Sequence, residues 1–244
     1  MTDLDQARSM IVDASSIAVL TGAGISTDSG IPDFRGPNGK WTLDPDSERL
    51  SDIRYYKSDP EVRAKTWENY GKGWGDYQPN FGHFALANLD ERGKLLHLAT
   101  QNIDRLHHAS GVDPERIGEL HGNREEVRCL GCGRTYLGFQ YRFAHGDDTQ
   151  ICHKCGGLLK PNVVFFGEDL DDIVWSRAVN AAYHCDLYLV IGTSLQVWPA
   201  AGLPVRARDV ETDVIYVNGE RAPYTQMKRL NLIGSISEIL DEII

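Results

Sequence analysis

Apolar positions along the chain follow two different periods. Residues 3–15 show the three-to-four spacing of an amphipathic helix. Residues 17–20, Ile-Ala-Val-Leu, follow as a short continuous apolar run of the buried-strand type, which ends in Thr21-Gly-Ala-Gly-Ile-Ser26. Further runs of this kind lie at 95–100, 163–166, 186–191 and 214–217. Helical patterns over about 81–92, 171–184 and 199–208 separate several of them. Buried strands alternating with helices predict an α/β fold, a Rossmann-type parallel sheet with helices on both faces.

Two stretches break this rhythm. Residues 34–79 are rich in Gly, Trp, Tyr and charge, with a helical core near 60–71. Residues 123–160 hold four of the five cysteines and little apolar periodicity. Both read as insertions that form a smaller helical and zinc-ribbon domain. Residues 1–33, 80–122 and 161–244 remain for the Rossmann-type domain. A chain of 244 residues suits one large domain carrying such an insert.

Hydrophobic residues at 41% and charged residues at 25% exclude a disordered, collagenous or coiled-coil chain. A net charge of −10 argues against a nucleic-acid binder and permits a basic partner, such as a lysine-bearing protein. No run of 18 apolar residues exists, and the acidic N-terminus lacks an apolar signal region. The expectation is a chain that does not enter the membrane and works in a reducing compartment, the cytoplasm.

The paired cysteines agree with that compartment. Cys129-x2-Cys132 and Cys152-x2-Cys155 have the spacing of a zinc ribbon, in which two turns each present two thiolates to one ion. Four thiolates close the shell, so the metal is expected to be structural. Buried or redox-active thiols are the plainer reading. His153 is expected to stand aside, and Cys185 stands alone in an apolar stretch.

Three further clusters carry chemistry. Gly22 and Gly24 fit the first two positions of a dinucleotide fingerprint, but Thr27 stands at the third, and no clear acid ends the second strand. A plain Rossmann dehydrogenase is therefore a poor fit. Ser26, Ser29, Gly30, Asp33 and Arg35 follow closely, and their amides, hydroxyls and guanidinium suit a pyrophosphate. Gln101-Asn-Ile-Asp104 follows the 95–100 strand, where α/β sheets bind ligands; helix capping by Asn102 or Asp104 is an equal reading. His121, beside Gly122 at a strand end, is a candidate general base, although a lone histidine is more often structural. His107 and His108 are assigned no chemistry.

Together these residues resemble the sirtuins, the NAD-dependent protein-lysine deacylases. The resemblance rests on Thr21-Gly-Ala-Gly-Ile-Ser26, Gly30-Ile-Pro-Asp-Phe-Arg35, Thr100-Gln-Asn-Ile-Asp104, Leu120-His-Gly122, the cysteine quartet, Val164-Phe-Phe-Gly-Glu168, Gly192-Thr-Ser194 and Val217-Asn218, in that order. It runs from about residue 15 to the C-terminus and implies an NAD-binding Rossmann-type domain, a small zinc domain and a cleft between them.

The resemblance also implies roles. Gly22, Ala23, Gly24, Ser26, Arg35, Gly192, Thr193, Ser194 and Asn218 would contact NAD around its phosphates and ribose, with Gly219, Glu220 and the backbone near Ile236 at the adenosine. Gln101, Asn102, Ile103 and Asp104, with Ile31, Asp33 and Phe34, would line the nicotinamide side. His121 would be the base and Asn102 would orient the ribose or a water. Residues 164–168 (Val164, Phe165, Gly167 and Glu168) and 195–198 (Val197 among them) would be the edges between which a substrate peptide docks as an added strand. Phe34, Val164 and Phe165 would line an apolar tunnel for the lysine stem, although core packing fits Phe165 nearly as well.

The implied reaction begins with attack of the acyl oxygen on C1′ of the nicotinamide ribose and yields nicotinamide, O-acyl-ADP-ribose and free lysine. Two alternatives stand beside it: protein mono-ADP-ribosyl transfer, and a non-catalytic NAD-sensing module. Sirtuins that take acidic acyl groups carry Tyr-x-x-Arg where this chain has Trp67 and Tyr70. Neither position offers a guanidinium, so little desuccinylase activity is expected, and the two rings suit either an apolar wall or helix packing. Arg35-Gly-Pro-Asn-Gly-Lys-Trp-Thr42 resembles the class IV branch, and Arg105 replaces a common glycine.

Overall fold

The computed structural model describes residues 2–37, 39–71, 76–138, 150–220 and 230–244. Helix α1 (Asp3–Asp13) starts at a capping box, in which the Thr2 hydroxyl accepts the Asp5 N–H and the Asp5 carboxylate accepts the Thr2 N–H. Strand β1 (Ile17–Thr21) is buried at every position, as befits a strand covered on both faces. Helices α2 (Lys40–Leu43), α3 (Ile53–Ser58) and α4 (Pro60–Gly71) follow. Next come α5 (Phe81–Glu91), β2 (Leu95–Thr100), α6 (Leu106–Ala109) and β3 (Ile117–Glu119). Strands β4 (Gly122–Cys129), β5 (Thr135–Leu137) and β6 (Leu159–Val163) precede α7 (Asp172–His184) and β7 (Leu187–Ile191). Helix α8 (Leu203–Asp209), β8 (Asp213–Asn218), β9 (Leu230–Ile233) and α9 (Ile236–Ile243) complete the chain.

Six strands form one parallel sheet in the order β3-β2-β1-β7-β8-β9. The chain steps outward from β1 through β2 to β3, then crosses to the other side of β1 for β7, β8 and β9. The reversal lies between β1 and β7, where open α/β sheets leave a crevice beyond the strand ends. Alternate side chains serve opposite faces. Val19, Leu98 and Leu189 meet Ile11, Leu86 and Leu240 from α1, α5 and α9. Leu20, Tyr188 and Val190 meet Ala178, Ala182, Leu203 and Ala207 from α7 and α8. Each large apolar side chain buried this way contributes about 1.5–3 kcal/mol.

The second sheet is antiparallel, in the order β5-β4-β6. It corrects one expectation. The apolar run at 163–166 is not a strand of the parallel sheet: the strand is Leu159–Val163, paired with β4, and it crosses the expected boundary at 161. Backbone pairing, and not side-chain polarity, makes Lys160, Pro161 and Asn162 a strand. The 199–208 helix divides into a 3-10 turn (Ala200–Gly202) and α8. Strand β9 and helix α9 were not anticipated. Among the described residues, no helix is long and apolar enough to cross a membrane.

Candidate functional site

Three strand ends meet at the crevice through their main chains. The N–H of Gly22 donates to Ile191 O at 3.0 Å, that of Gly24 to Gly192 O at 2.8 Å, and that of Gly192 to Val217 O at 2.9 Å. Gly192 has φ +63°, and a Cβ there would lie 2.4 Å from Ile25 N. Only glycine lets the two loops nest this closely. The chain then coils as a 3-10 turn over Ala23–Ser29 and leaves through Gly30 at φ +89°.

A buried polar cluster sits beside that turn. The Ser26 hydroxyl donates to Asp104 Oδ2 at 2.7 Å and accepts from Asn102 Nδ2 at 3.1 Å. Asp104 Oδ1 accepts the Leu106 N–H, so this carboxylate braces the first residue of α6 and also holds Ser26. Burial raises its pKa, and its hydrogen bonds with Leu106 and Ser26 work against that rise. Gln101 Nε2 donates to Thr193 Oγ1 at 2.9 Å, joining the β2 end to the β7 end. Behind Ser26, His83 Nε2 lies 3.4 Å from its hydroxyl, and His107 Nε2 lies 2.9 Å from Thr21 Oγ1.

His121 stands between β3 and β4, where the chain passes from one sheet to the other. Its Nδ1 is 3.0 Å from Gln101 O. A carbonyl only accepts, so Nδ1 carries the proton and Nε2 keeps its lone pair. Burial lowers the pKa, and the bond to Gln101 partly offsets that. Burial thus favours the neutral ring, the state a general base needs. Gly122 follows at φ +70°, and a Cβ there would lie 2.0 Å from Asn162 O, so β4 and β6 close tightly beside the imidazole.

Two loops pack on one another, and one of them is bonded to the histidine. In one, the ring of Trp41 packs between Phe34 (4.7 Å) and Phe166 (5.6 Å), with the Arg35 guanidinium over it at 4.4 Å. In the other, Val164 N–H donates to His121 O at 2.9 Å, Phe166 N–H donates to Ser51 O at 2.7 Å, and Glu168 N–H closes a turn on Phe165 O at 3.0 Å. Gly167 at φ +86° takes the position of that turn which requires a positive φ.

The four paired cysteines gather at one end of the small sheet, with their Sγ atoms all within 4.8 Å of one another. Cys129 Sγ and Cys155 Sγ are 3.4 Å apart, and Cys132 Sγ and Cys152 Sγ are 4.0 Å apart. These are not disulfide distances. They bracket the roughly 3.8 Å edge of a tetrahedron with Zn–S bonds of about 2.3 Å. N–H groups of Gly131 and Cys132 point at Cys129 Sγ, and that of Gly157 at Cys155 Sγ, which suits thiolates. The donor set fits one structural zinc ion.

A model of the Sir2 family matches residues 22–199. The NAD-dependent protein deacetylase 2 of Streptomyces coelicolor is 42% identical over 86% of this chain and 89% of its own. This chain belongs to the Sir2 family. A Sir2 enzyme structure solved for mechanism and regulation superposes with a TM-score of 0.88 at 36% identity, covering 99% of this chain and 96% of that one. A Sir2 solved with p53 peptide and NAD+ superposes at 0.85 and 31% identity, covering 100% and 97%.

In this Sir2 chain the structure brings Gly22, Ala23, Gly24, Ser26, Gln101, Asn102, Asp104, Gly192 and Thr193 together at the crevice. Ser194 and Ile103 lie beside them half-buried, and Asn218 donates from Nδ2 to Tyr216 OH at 2.8 Å. Gly219 and Glu220 are exposed at the end of β8. Val197 is half-buried and its carbonyl accepts the Ala201 N–H.

Other expected residues stand differently. Asp33 Oδ1 accepts the Gly36 N–H and so braces its own loop. Ile236 belongs to the main core by its side chain. Phe165 is 2% exposed, packed with Ile53 and edge-on to Tyr56, so its ring sits in core packing. Trp67, half-buried, packs the α4 helix on Val127, Cys129, Cys152 and Leu159. At Tyr70 a guanidinium does arrive, but from β4: Arg124 lies 5.5 Å from the ring and donates to Tyr70 O. Arg105 turns toward Glu125 (3.3 Å) and Glu119 (3.9 Å).

Sequence reasoning missed His83, Asn80 and Lys160. Asn80 reveals itself as a helix N-cap and donates from Nδ2 to Ile25 O. Lys160 leaves only a faint signal, a lysine inside Leu158-Leu-Lys-Pro161.

Proposed function

We propose that this chain removes acyl groups from protein lysines and consumes NAD as co-substrate, releasing nicotinamide, O-acyl-ADP-ribose and free lysine. One observation carries the reading. The His121 ring is held through Nδ1 on the carbonyl of Gln101, the residue before Asn102 of the Asn102–Ser26–Asp104 cluster, which leaves Nε2 for chemistry. The relatives named for NAD-dependent deacetylation support it.

When bound, NAD supplies a ribose carbon that becomes electrophilic as nicotinamide leaves. The amides of the turn at Gly22, Ala23, Gly24 and Ser26, with Arg35, take the pyrophosphate. Gly192, Thr193, Ser194 and Asn218 continue the contacts to the phosphates and ribose, and Gly219, Glu220 and the main chain at Ile236 take the adenosine. Gln101, Asn102, Ile103 and Asp104, with Ile31, Asp33 and Phe34, hold the nicotinamide side, and Asn102 orients the ribose. Nε2 of His121 then accepts a ribose hydroxyl proton, an assistance worth about 10²–10⁴-fold. Val164, Gly167, Glu168 and Val197 present the edges that receive the acyl-lysine peptide as a strand. The zinc at Cys129, Cys132, Cys152 and Cys155 ties the small sheet together and has no open position for chemistry.

We read the small sheet with residues 34–79 as one domain and the parallel sheet as the other, with β6 assigned whole to the former. Paired thiolates last in a reducing compartment, which supports a cytoplasmic place. The deciding experiment incubates the protein with NAD and peptides bearing acetyl-, succinyl- or longer acyl-lysine, followed by mass spectrometry. NAD-dependent O-acyl-ADP-ribose is the expected product. NAD consumption with ADP-ribose attached to protein, and no free lysine formed, would mean mono-ADP-ribosyl transfer instead.

A further inference from the structure

Lys160 is a charged side chain where the sheet has no evident need of one. It is 3% exposed and is the second residue of β6, paired with Arg128 of β4. Its ammonium has three N–H donors, and the structure gives it three acceptors: Pro161 O at 3.0 Å, Val163 O at 2.5 Å and Glu168 Oε2 at 3.0 Å. All three lie within the next eight residues. The ammonium also sits 4.4 Å from the centroid of the Phe165 ring. The Glu168 oxygen it holds accepts the Phe165 N–H at 2.9 Å, while the Glu168 N–H returns to Phe165 O. The turn at 165–168 is thus closed from both sides around one cation.

A buried ion pair rarely adds stability over an apolar pair of the same volume, because both charges lose their water. Burial lowers the lysine pKa, and Glu168 opposes that shift. What the pair does supply is geometry. With its donors all committed, the ammonium allows residues 163–168 one course, from the His121 carbonyl to the hydrogen bonds with Ser51 and Ile53.

We propose that Lys160 is a positioning residue for the acyl-lysine peptide, its ammonium holding residues 163–168 in the shape that receives the substrate strand. This rests on the reading of that edge as the substrate face. Pre-ordering the edge spares the bound state an ordering cost that would otherwise reduce affinity. The NAD-side loops at Gly22–Ser26 and Gly192 make no hydrogen bond to this ammonium, so the effect falls chiefly on the peptide.

The test compares wild type, Lys160→Met and Lys160→Arg by steady-state kinetics and by amide hydrogen exchange. Lys160→Met raises the KM for acetyl-lysine peptide about ten- to a hundredfold, as ångström-scale misplacement does, and leaves the KM for NAD unchanged. Exchange in 161–168 quickens while exchange in β1 does not, and Lys160→Arg restores most of the peptide affinity. If Lys160→Met does not fold, Lys160→Gln, which keeps two donors, must show the same split. An unchanged peptide KM overturns the inference, as does an equal loss for NAD and peptide with faster exchange throughout. A wild type that neither binds nor turns over acyl peptide overturns the deacylase reading itself, and this inference with it.

Discussion

Nδ1 of His121 and the main-chain carbonyl of Gln101 are 3.0 Å apart, and that contact decides which nitrogen is available for chemistry. Because Gln101 opens the Gln101-Asn-Ile-Asp104 segment, the base and the cluster around Asn102 are set by one stretch of backbone. His121→Ala should lower kcat by about 10²–10⁴-fold and leave NAD binding in place, measured by calorimetry. His121→Asn tests the same point with a side chain that still donates but is no base. The acidic limb of the kcat/KM profile should fall below the ordinary histidine range near 6.5, because burial lowers this pKa. Turnover that persists in His121→Ala would remove the base from the mechanism.

Ser26 joins Asn102 to Asp104, so its loss should be felt by both. Ser26→Ala leaves a buried carboxylate oxygen without its hydroxyl donor, a cost of about 1–3 kcal/mol in stability. The Asn102 amide also loses its acceptor. A weaker affinity for NAD and a lower kcat are expected together, read from binding isotherms and turnover of the same preparation. Tight NAD binding and normal turnover in Ser26→Ala would show that the triad is only packing.

Gly192→Ala asks whether the loop contact is needed. The residue has φ +63°, and the new methyl would meet Ile25 N at 2.4 Å. Left-handed backbone on a non-glycine residue costs about 1–3 kcal/mol before the clash is counted. Thermal unfolding should shift down, and NAD affinity should fall more than the stability loss alone predicts, because relieving the clash moves the residue-192 carbonyl away from the Gly24 N–H.

Metal content gives a separate check. One zinc per chain is expected by elemental analysis, released on mercurial titration of four thiols. A chelator should lower the melting temperature, because binding free energy at such a site is folding free energy. Cys152→Ser should do the same, since that thiol is buried with Val127 and Leu159 in the small core. Full stability after complete removal of zinc would mean that the quartet is not a structural metal site.

Strands β1, β2, β7 and β8 are legible because each is a run of apolar residues bounded by glycine or polar turns, whereas β3 (Ile-Gly-Glu) and β9 (Leu-Asn-Leu-Ile) are too short or too mixed to show. The cysteine quartet was legible because zinc spacing is local. β6 was hidden, since Lys160, Pro161 and Asn162 become a strand only by pairing with β4. Helix α9 carried a readable stripe, Ile236, Leu240 and Ile243, all buried on one face, in a stretch given no element in advance. Arg124 could not be read from the Trp67–Tyr70 helix at all. Its approach to Tyr70 joins residues 54 positions apart and depends on how β4 leaves His121. Tertiary juxtaposition of this kind has no sequence period to betray it.

Stability should fall in mild acid, and His97 shows why. It is buried in β2 with its Nε2 against Gly118, where a Cβ would come within 2.7 Å. Burial, helped by the positive charge of Arg177, lowers its pKa to about 4. Burial does the same for His83. An unfolded histidine titrates near 6.5. Between those values the unfolded chain binds a proton that the folded chain refuses, so stability rises with pH across the window and is lost as pH falls from about 6.5 toward 4. One such group can account for at most about 3 kcal/mol. The melting temperature should therefore decline from pH 7 to pH 4.5, apart from any change in activity. His97→Leu keeps an apolar volume in the same slot and removes the proton, so its decline should be shallower. An identical slope in both proteins would assign the acid sensitivity to carboxylates instead.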